Sequence, residues 1–358
     1  MNSIKQIEVI YDNRLVGRLA LTKESLCAFE YSAEWLNSGF SISPFELPLR
    51  SGVFIAKPRP FDGGFGVFDD CLPDGWGLLI LDRYLQRNGV NPRTLSLLDR
   101  LALVGSTGRG ALEFRPDKSV VSKQEYADFE KLALEAEQIL DSDNYNGEGI
   151  EEFQYRGGSP GGARPKIFTR YDGKEWLVKF RAKRDSKHIG EDEYRYSLLA
   201  KECGIEIPKT RLFEDKYFGV ERFDRTSNGK LHVVSIAGLI GADYRLPSID
   251  YTHIFQVCAT LTHSVAEMWK VYRLMVFNYL IDNKDDHAKN FAFIYRDGNW
   301  HFAPAFDLLP SDGINGFRTT SINDRIEPTK EDLGYVGKIV EVNPEIIKDN
   351  LDAGYISM

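Results

Sequence analysis

Apolar and polar positions alternate in short runs over residues 1 to about 60, as in IEVIY and RLVGRLAL joined across Asp12-Asn13. This period of two with a turn dipeptide between predicts antiparallel strands and a β-rich opening. At LPDGWGLLILDRYLQRNG the period lengthens: Leu78, Leu79, Leu81 and Leu85 fall on one helical stripe, Asp74 is placed to cap it and Gly89 to end it. A helix over about 75–88 follows, then a second over about 93–103 and an acidic third over about 124–141. The polar run DSDNYNGEGIEE reads as a loop or linker.

From Gly157 the chain turns glycine-rich, GGSPGGARPK, and continues into the strand-like pieces KIFTRY and EWLVKF, split by Asp172-Gly173. Helical spacing returns at EDEYRYSLLAKEC (191–203), GVERFDR (219–225) reads as a strand running into a linker, and 266–282 is a long amphipathic helix. No internal repeat or low-complexity tract interrupts this order, so a mixed first part precedes a mainly helical second part, with the boundary near 225–235.

A chain of 358 residues is long enough for two packed cores. Its 42% hydrophobic and 27% charged content is that of a globular protein. A net charge of −8 supplies no general attraction to a phosphate backbone, which makes direct nucleic-acid binding a minor hypothesis. Cys27, Cys71, Cys203 and Cys258 are far apart and form no CxxC pair, as expected of buried thiols in a reducing compartment. No signal-like or membrane-spanning apolar run is present, so the expectation is a cytoplasmic protein without a membrane partner.

The densest chemistry lies in NYLIDNKDDHAKNFAFIYRDGNWHFAPAFDLLPS. The helix should end near Asp282, because NKDDHAKN is too rich in Asn and Asp to extend it. FAFIY and WHFAP then form a hairpin through Asp297-Gly298, delivering Asp307 beside the loop. Phosphoryl transfer needs a base to orient a hydroxyl and oxygen ligands for magnesium. Asp285 suits the base, and Asn290 and Asp307 suit the ligands, because D-x-x-x-x-N followed by a hairpin and a second Asp is the order of a kinase catalytic loop. A lone D-x-x-x-x-N is ordinarily turn chemistry; the hairpin and Asp307 raise it above that. His287 is favoured as a support of the loop, while Asp286 and Lys289 stay open between structural and catalytic roles. A two-metal hydrolase on Asp285, Asp286 and His287 is the weaker enzyme alternative, since it leaves the glycine loop unexplained.

GGSPGGARPK fits neither the dinucleotide fingerprint nor the Walker spacing. Even so, glycines at 157, 158, 161 and 162 let backbone N–H groups converge on phosphate oxygens, Ala163 adds little bulk, and Arg164 and Lys166 bring positive charge. Lys179 sits inside the apolar strand WLVKF, where an ammonium needs an anion to offset its desolvation; a nucleotide phosphate is the candidate. Its carboxylate partner is one of Glu191, Asp192 and Glu193, and the sequence does not choose. Ser159, in the middle of the loop, is either a turn hydroxyl or a site of autophosphorylation.

These residues resemble the HipA toxins, Ser/Thr protein kinases of type II toxin–antitoxin modules. The stretch Ser159 to Lys166 is similar to the family's S-x-x-G-A-x-x-K loop, whose serine is autophosphorylated and switches the enzyme off. By the same resemblance, Lys179 contacts ATP, Glu221, Arg222 and Phe223 form the hinge that reads adenine, and Asp285, His287, Lys289, Asn290 and Asp307 belong to the catalytic, ATP-binding and magnesium motifs. FELPLR and LPDGWG look like the β-rich subdomain of full-length members. Arg164-Pro165 replaces a Gln-Glu pair of better-known members, and the run from Asp307 to Met358 is shorter than theirs.

The resemblance implies an α+β, two-lobed protein-kinase-like fold: a HipA-type N-terminal β-rich subdomain over 1–110, the nucleotide-binding part of the N-lobe over 111–230 and a helical catalytic C-lobe over 231–358. It implies ATP and Mg as cofactors, a HipB-like helix-turn-helix antitoxin that makes the only, indirect, link to DNA, and an aminoacyl-tRNA synthetase as substrate. The alternative is a nucleotide-binding pseudokinase or corepressor scaffold for such an antitoxin.

Overall fold

The computed structural model describes residues 4–120, 127–142, 145, 147–157 and 161–341. They divide into two compact units: those within 1–42, 47–194 and 209–232 make the first, and those within 43–46, 195–208 and 233–341 the second.

The first unit opens with a five-stranded antiparallel sheet in the order Val53–Ile55, Cys27–Tyr31, Arg14–Leu21, Gln6–Tyr11, Glu113–Arg115. Asp12 and Asn13 both take positive φ, 46° and 59°, which gives the hairpin turn the twist of its strands. The alternation read from the sequence buries Ile7, Val9, Leu19 and Phe29 on one face. Helices Gly75–Arg87 and Leu97–Val104 follow, the latter closed by a Ser96/Asp99 capping box.

A second antiparallel sheet, ordered Lys166–Tyr171, Lys174–Lys179, Tyr217–Glu221, Thr210–Phe213, completes this unit. Its inner face packs Ile167, Val178 and Phe213 into one core with Trp76, Phe129 and Phe153. The helix Phe129–Asp141 lies within the span expected for the acidic third helix, and 124–126 fall outside the described residues. The run expected to be a loop departs from that reading only at its end, because Gly149–Gly157 is a helix. Its apolar content is small, but Ile150 and Phe153 lie three apart and are buried, with the Phe153 ring edge-on to Trp76 at 5.0 Å. Packing against a tryptophan 77 positions earlier in the chain outweighs a composition that reads as turn.

The second unit is mainly helical. Tyr251–Thr262 and Val265–Leu280 form its pair of long helices, and Lys330–Glu341 is a third. Strands His232–Ser235, Ala292–Arg296 and Asn299–Phe302 form a small sheet, the last two closed by Asp297 and Gly298 at φ 52° and 81°. The long helix stops at Leu280, and Asp282, at φ 55°, turns the chain out of it.

Candidate functional site

In the first unit, antiparallel pairing sets Lys166 directly opposite Lys179, and both are buried, at 3% and 8% exposure. Like charges facing each other across a ladder destabilise it unless anions neutralise them. The Lys179 ammonium meets Glu193 at 2.9 Å, and this carboxylate is itself buried. The helix Ile189–Glu202 thereby selects one of the three carboxylates that the sequence left open. Arg164, the residue that departs from the family's loop, binds Asp185 through two hydrogen bonds of 3.0 and 3.2 Å and the second oxygen of Glu193 at 3.3 Å. Lys166 donates to the carbonyl of Gly161.

Residues 158–160, and with them Ser159, lie outside the described residues. Gly161 and Gly162 are held at a place that sequence reasoning did not anticipate. Asp74 occupies the N-cap position of Gly75–Arg87, yet its side chain makes no capping bond there. It accepts instead from the N–H of Gly162, while Trp76 N–H donates to the Gly162 carbonyl at 3.0 Å. Gly162 sits at φ 92°, and a Cβ on Gly75 would lie 2.6 Å from the Gly162 oxygen. Both glycines are therefore required by this close approach.

At the hinge expected over 221–223, the N–H groups of Glu221 and Arg222 are committed to the carbonyls of Lys209 and Glu175, each at 2.8 Å. The Arg222 side chain lies over the Phe168 ring and makes a two-pronged pair with Asp224 at 3.0 and 2.8 Å. Arg222 and Arg225 also hold the carbonyls of Gly108 and Gly110, and the Gly110 N–H returns to Asp224 at 2.8 Å. Burial would raise the Asp224 carboxyl, but Arg222 and Arg225 outweigh it and hold the group well below the usual carboxylate range.

In the second unit, Asp285 is exposed in the loop that follows the long helix. Asn290 donates its amide nitrogen to the Asp285 carbonyl at 2.9 Å, a bond that does not use the amide oxygen. Asp307 is exposed at φ 57°, beyond the hairpin. The His287 ring accepts from Lys289 N–H at 3.3 Å and caps the turn Ala288–Asn290. Lys289 is buried with its ammonium 4.0 Å from the centre of the Tyr244 ring.

Asp286 is buried, accepting from the Tyr251 hydroxyl at 2.7 Å, and its backbone carbonyl accepts from Thr320. Burial pushes its carboxyl up to about 7 against the lowering effects of Tyr251 and Arg318. Among the described residues no group of three His, Cys, Asp or Glu is arranged for a metal ion. An amide oxygen and a carboxylate do fit a single magnesium ion completed by phosphate and water oxygens, since magnesium takes hard oxygen donors and few protein ligands.

Asn283 was not singled out by the sequence reading. It is buried, and its side chain reaches both sides of the site: Oδ1 accepts from Asp285 N–H at 3.2 Å, and Nδ2 donates to the Asp307 carbonyl at 3.3 Å. Its only signal in sequence is an Asn two positions before the Asp.

No helix among the described residues is long and apolar enough to cross a membrane. Residues 158–349 match the family model of the HipA-like C-terminal domain, and residues 7–115 that of the HipA N-terminal domain. The protein Y4dM of Sinorhizobium fredii is 26% identical over 324 residues, 83% of this chain and 76% of that one. The serine/threonine-protein kinase toxin HipA of Shewanella oneidensis is 22% identical over 375 residues, 90% of this chain and 79% of that one. The solved complex of Shewanella oneidensis HipA with HipB and its operator DNA is similar in fold, with a TM-score of 0.69 at 20% identity over 96% of this chain and 87% of that one. With both of its domain models matched in order and its fold shared, the chain belongs to the HipA family of protein kinases.

Proposed function

We propose that this chain is an ATP- and Mg-dependent Ser/Thr kinase that serves as the toxin of a toxin–antitoxin module. The observation that carries the reading is the pair of buried lysines, Lys166 and Lys179, opposed on one ladder with Glu193 against the second. Such buried positive charge suits a polyphosphate, and a strand lysine paired with a helix glutamate is the arrangement by which kinases hold one.

In this reading Gly161, Gly162, Ala163, Arg164, Lys166 and Lys179 hold the phosphates, Glu221 to Phe223 receive adenine, and His287 and Lys289 support the nucleotide from the catalytic loop. The sheet commitments of Glu221 and Arg222 N–H leave adenine recognition to Phe223 and backbone carbonyls. Asp285 accepts the proton of the attacking Ser or Thr hydroxyl. The Asn290 amide oxygen and the Asp307 carboxylate hold magnesium, which, when bound, neutralises charge on the phosphates. Ser159 is the autophosphorylated residue and an aminoacyl-tRNA synthetase the cellular substrate, both on the family resemblance. The Shewanella complex supports a HipB-like antitoxin as partner and as the link to DNA, consistent with a chain of net charge −8.

Incubation with labelled ATP and magnesium tests the reading. Label should enter Ser159 in the wild type and disappear in Asp285→Ala and Asp307→Ala; label that is unchanged in both variants defeats it. The second reading, a nucleotide-binding scaffold without chemistry, draws on the capture of Gly162 N–H by Asp74 and of Arg164 by Asp185. It prevails if ATP raises the melting temperature while no phosphate moves to the chain or to any protein of a cell extract.

A further inference from the structure

We infer that Asn283 is a positioning residue that sets the backbone of the base, Asp285, against that of the magnesium ligand, Asp307. The inference deepens the kinase reading above and rests on it for the roles of those two carboxylates.

The Asn283 side chain offers two N–H donors and one carbonyl oxygen, and all are used. Nδ2 donates to Asn278 Oδ1 at 3.1 Å and to the Asp307 carbonyl at 3.3 Å, and Oδ1 accepts from Asp285 N–H at 3.2 Å. Its main chain is equally committed: the N–H goes to the Asn278 carbonyl at 2.9 Å, and the carbonyl accepts from the buried Arg318 guanidinium at 2.8 Å. Asn278 in turn donates to the Tyr251 hydroxyl at 3.0 Å, which donates to Asp286, so the amide is anchored to the helix and the loop at once. A buried amide in such a network has one orientation available, because rotation would leave polar groups unpaired in a low-dielectric interior.

Asp307 benefits from this hold. At φ 57° it adopts the left-handed conformation, which Asp tolerates better than most residues with side chains but which a hydrogen bond at its carbonyl steadies. The Asn283 amide supplies that bond at the Asp307 carbonyl, and through the same Cγ it sets where Asp285 begins. Aspartate, the isosteric replacement, keeps an acceptor for Asp285 N–H but faces the Asp307 and Asn278 oxygens with an oxygen of its own. The link to Asp307 then becomes a repulsion.

The test is a titration of the full chain with manganese, in the presence and absence of ADP, following the free ion by electron paramagnetic resonance. Loss of a group that orients a metal ligand lowers affinity by about 10- to 100-fold, and that drop is expected for Asn283→Asp, with ADP affinity in EDTA unchanged. Val9→Ala, which opens a cavity in the buried face of the first unit's β-sheet and touches none of these groups, should lower the melting temperature while retaining manganese affinity. The inference is overturned if Asn283→Asp binds manganese as the wild type does, or if Val9→Ala, a destabilised chain with the amide intact, loses as much affinity. Should Asn283→Asp not fold, Asn283→Ser is titrated under the same criteria. A wild type that binds manganese with ADP yet transfers no labelled phosphate sinks the kinase reading alone, and a wild type that binds no manganese overturns both.

Discussion

Lys179 and Glu193 form a buried ion pair of 2.9 Å, and the second oxygen of the same carboxylate serves Arg164 at 3.3 Å. One glutamate thus neutralises a strand lysine and steadies the residue at the centre of the glycine loop's charged end. Removing one partner of a buried pair strands the other charge in the interior, at about 3–5 kcal/mol.

Glu193→Gln should therefore lower the free energy of unfolding measured in urea by an amount in that range and weaken ATP binding as well. Replacing both members, Lys179→Met with Glu193→Leu, should recover most of the stability and none of the ATP binding. Urea unfolding and calorimetric titration on the two variants separate the structural part of the pair from its nucleotide part.

Gly75→Ala places a methyl against the Gly162 carbonyl at a residue whose φ is +44°. The cost is about 1 kcal/mol or more, and the loop should leave the Asp74–Trp76 turn. Faster amide hydrogen exchange at 161–166 is the expected sign; unchanged exchange would mean that the turn does not hold the loop.

The Asp286 carboxyl is raised by burial from 3.8 to about 7, so between these values the folded chain binds a proton that the unfolded chain has released. Stability from this group is full at low pH and is lost as pH rises from about 4 to about 7. Asp286→Asn, which cannot ionise, should be the more stable chain above pH 7 and lose its advantage towards pH 4. Chemical unfolding of both chains at a series of pH values checks the sign.

His232 behaves in the opposite sense. Burial pushes its ring down from 6.5 to about 4 although Nε2 is hydrogen-bonded to the Ile42 carbonyl at 2.8 Å. The unfolded chain takes up the proton first, so stability falls as pH drops from about 6.5 to about 4. Replacement by Gln should flatten that limb of the melting-temperature profile.

Local patterns carried much of the fold. The positive-φ turns at Asp12-Asn13, Asp172-Gly173 and Asp297-Gly298 are written in two residues each, and the helix Gly75–Arg87 in one apolar stripe. Spacing alone also named Asp285, Asn290 and Asp307 as candidates. What holds such residues was not legible, because it depends on partners far along the chain. Asp74 reads as a helix cap until Gly162 arrives 88 positions later, and Asn283 reads as a turn former until the Asp307 carbonyl arrives 24 positions later. Glu193 could not be told from Glu191 or Asp192, since the register of a helix against a strand is set by packing rather than by either segment. The helix Gly149–Gly157 was hidden by its own polarity, because only two of its buried side chains, Ile150 and Phe153, are apolar.

The ties from Arg222, Arg225 and Asp224 to the main chain at Gly108 and Gly110 give the amino-terminal piece a status of its own. Two guanidinium groups and a buried carboxylate have their needs met by peptide groups of that piece, and no side-chain replacement there can substitute for a peptide carbonyl. A cut in the chain after Arg115 would accordingly leave the β-rich segment tied to its complement through the carbonyls of Gly108 and Gly110, which no side-chain substitution deletes.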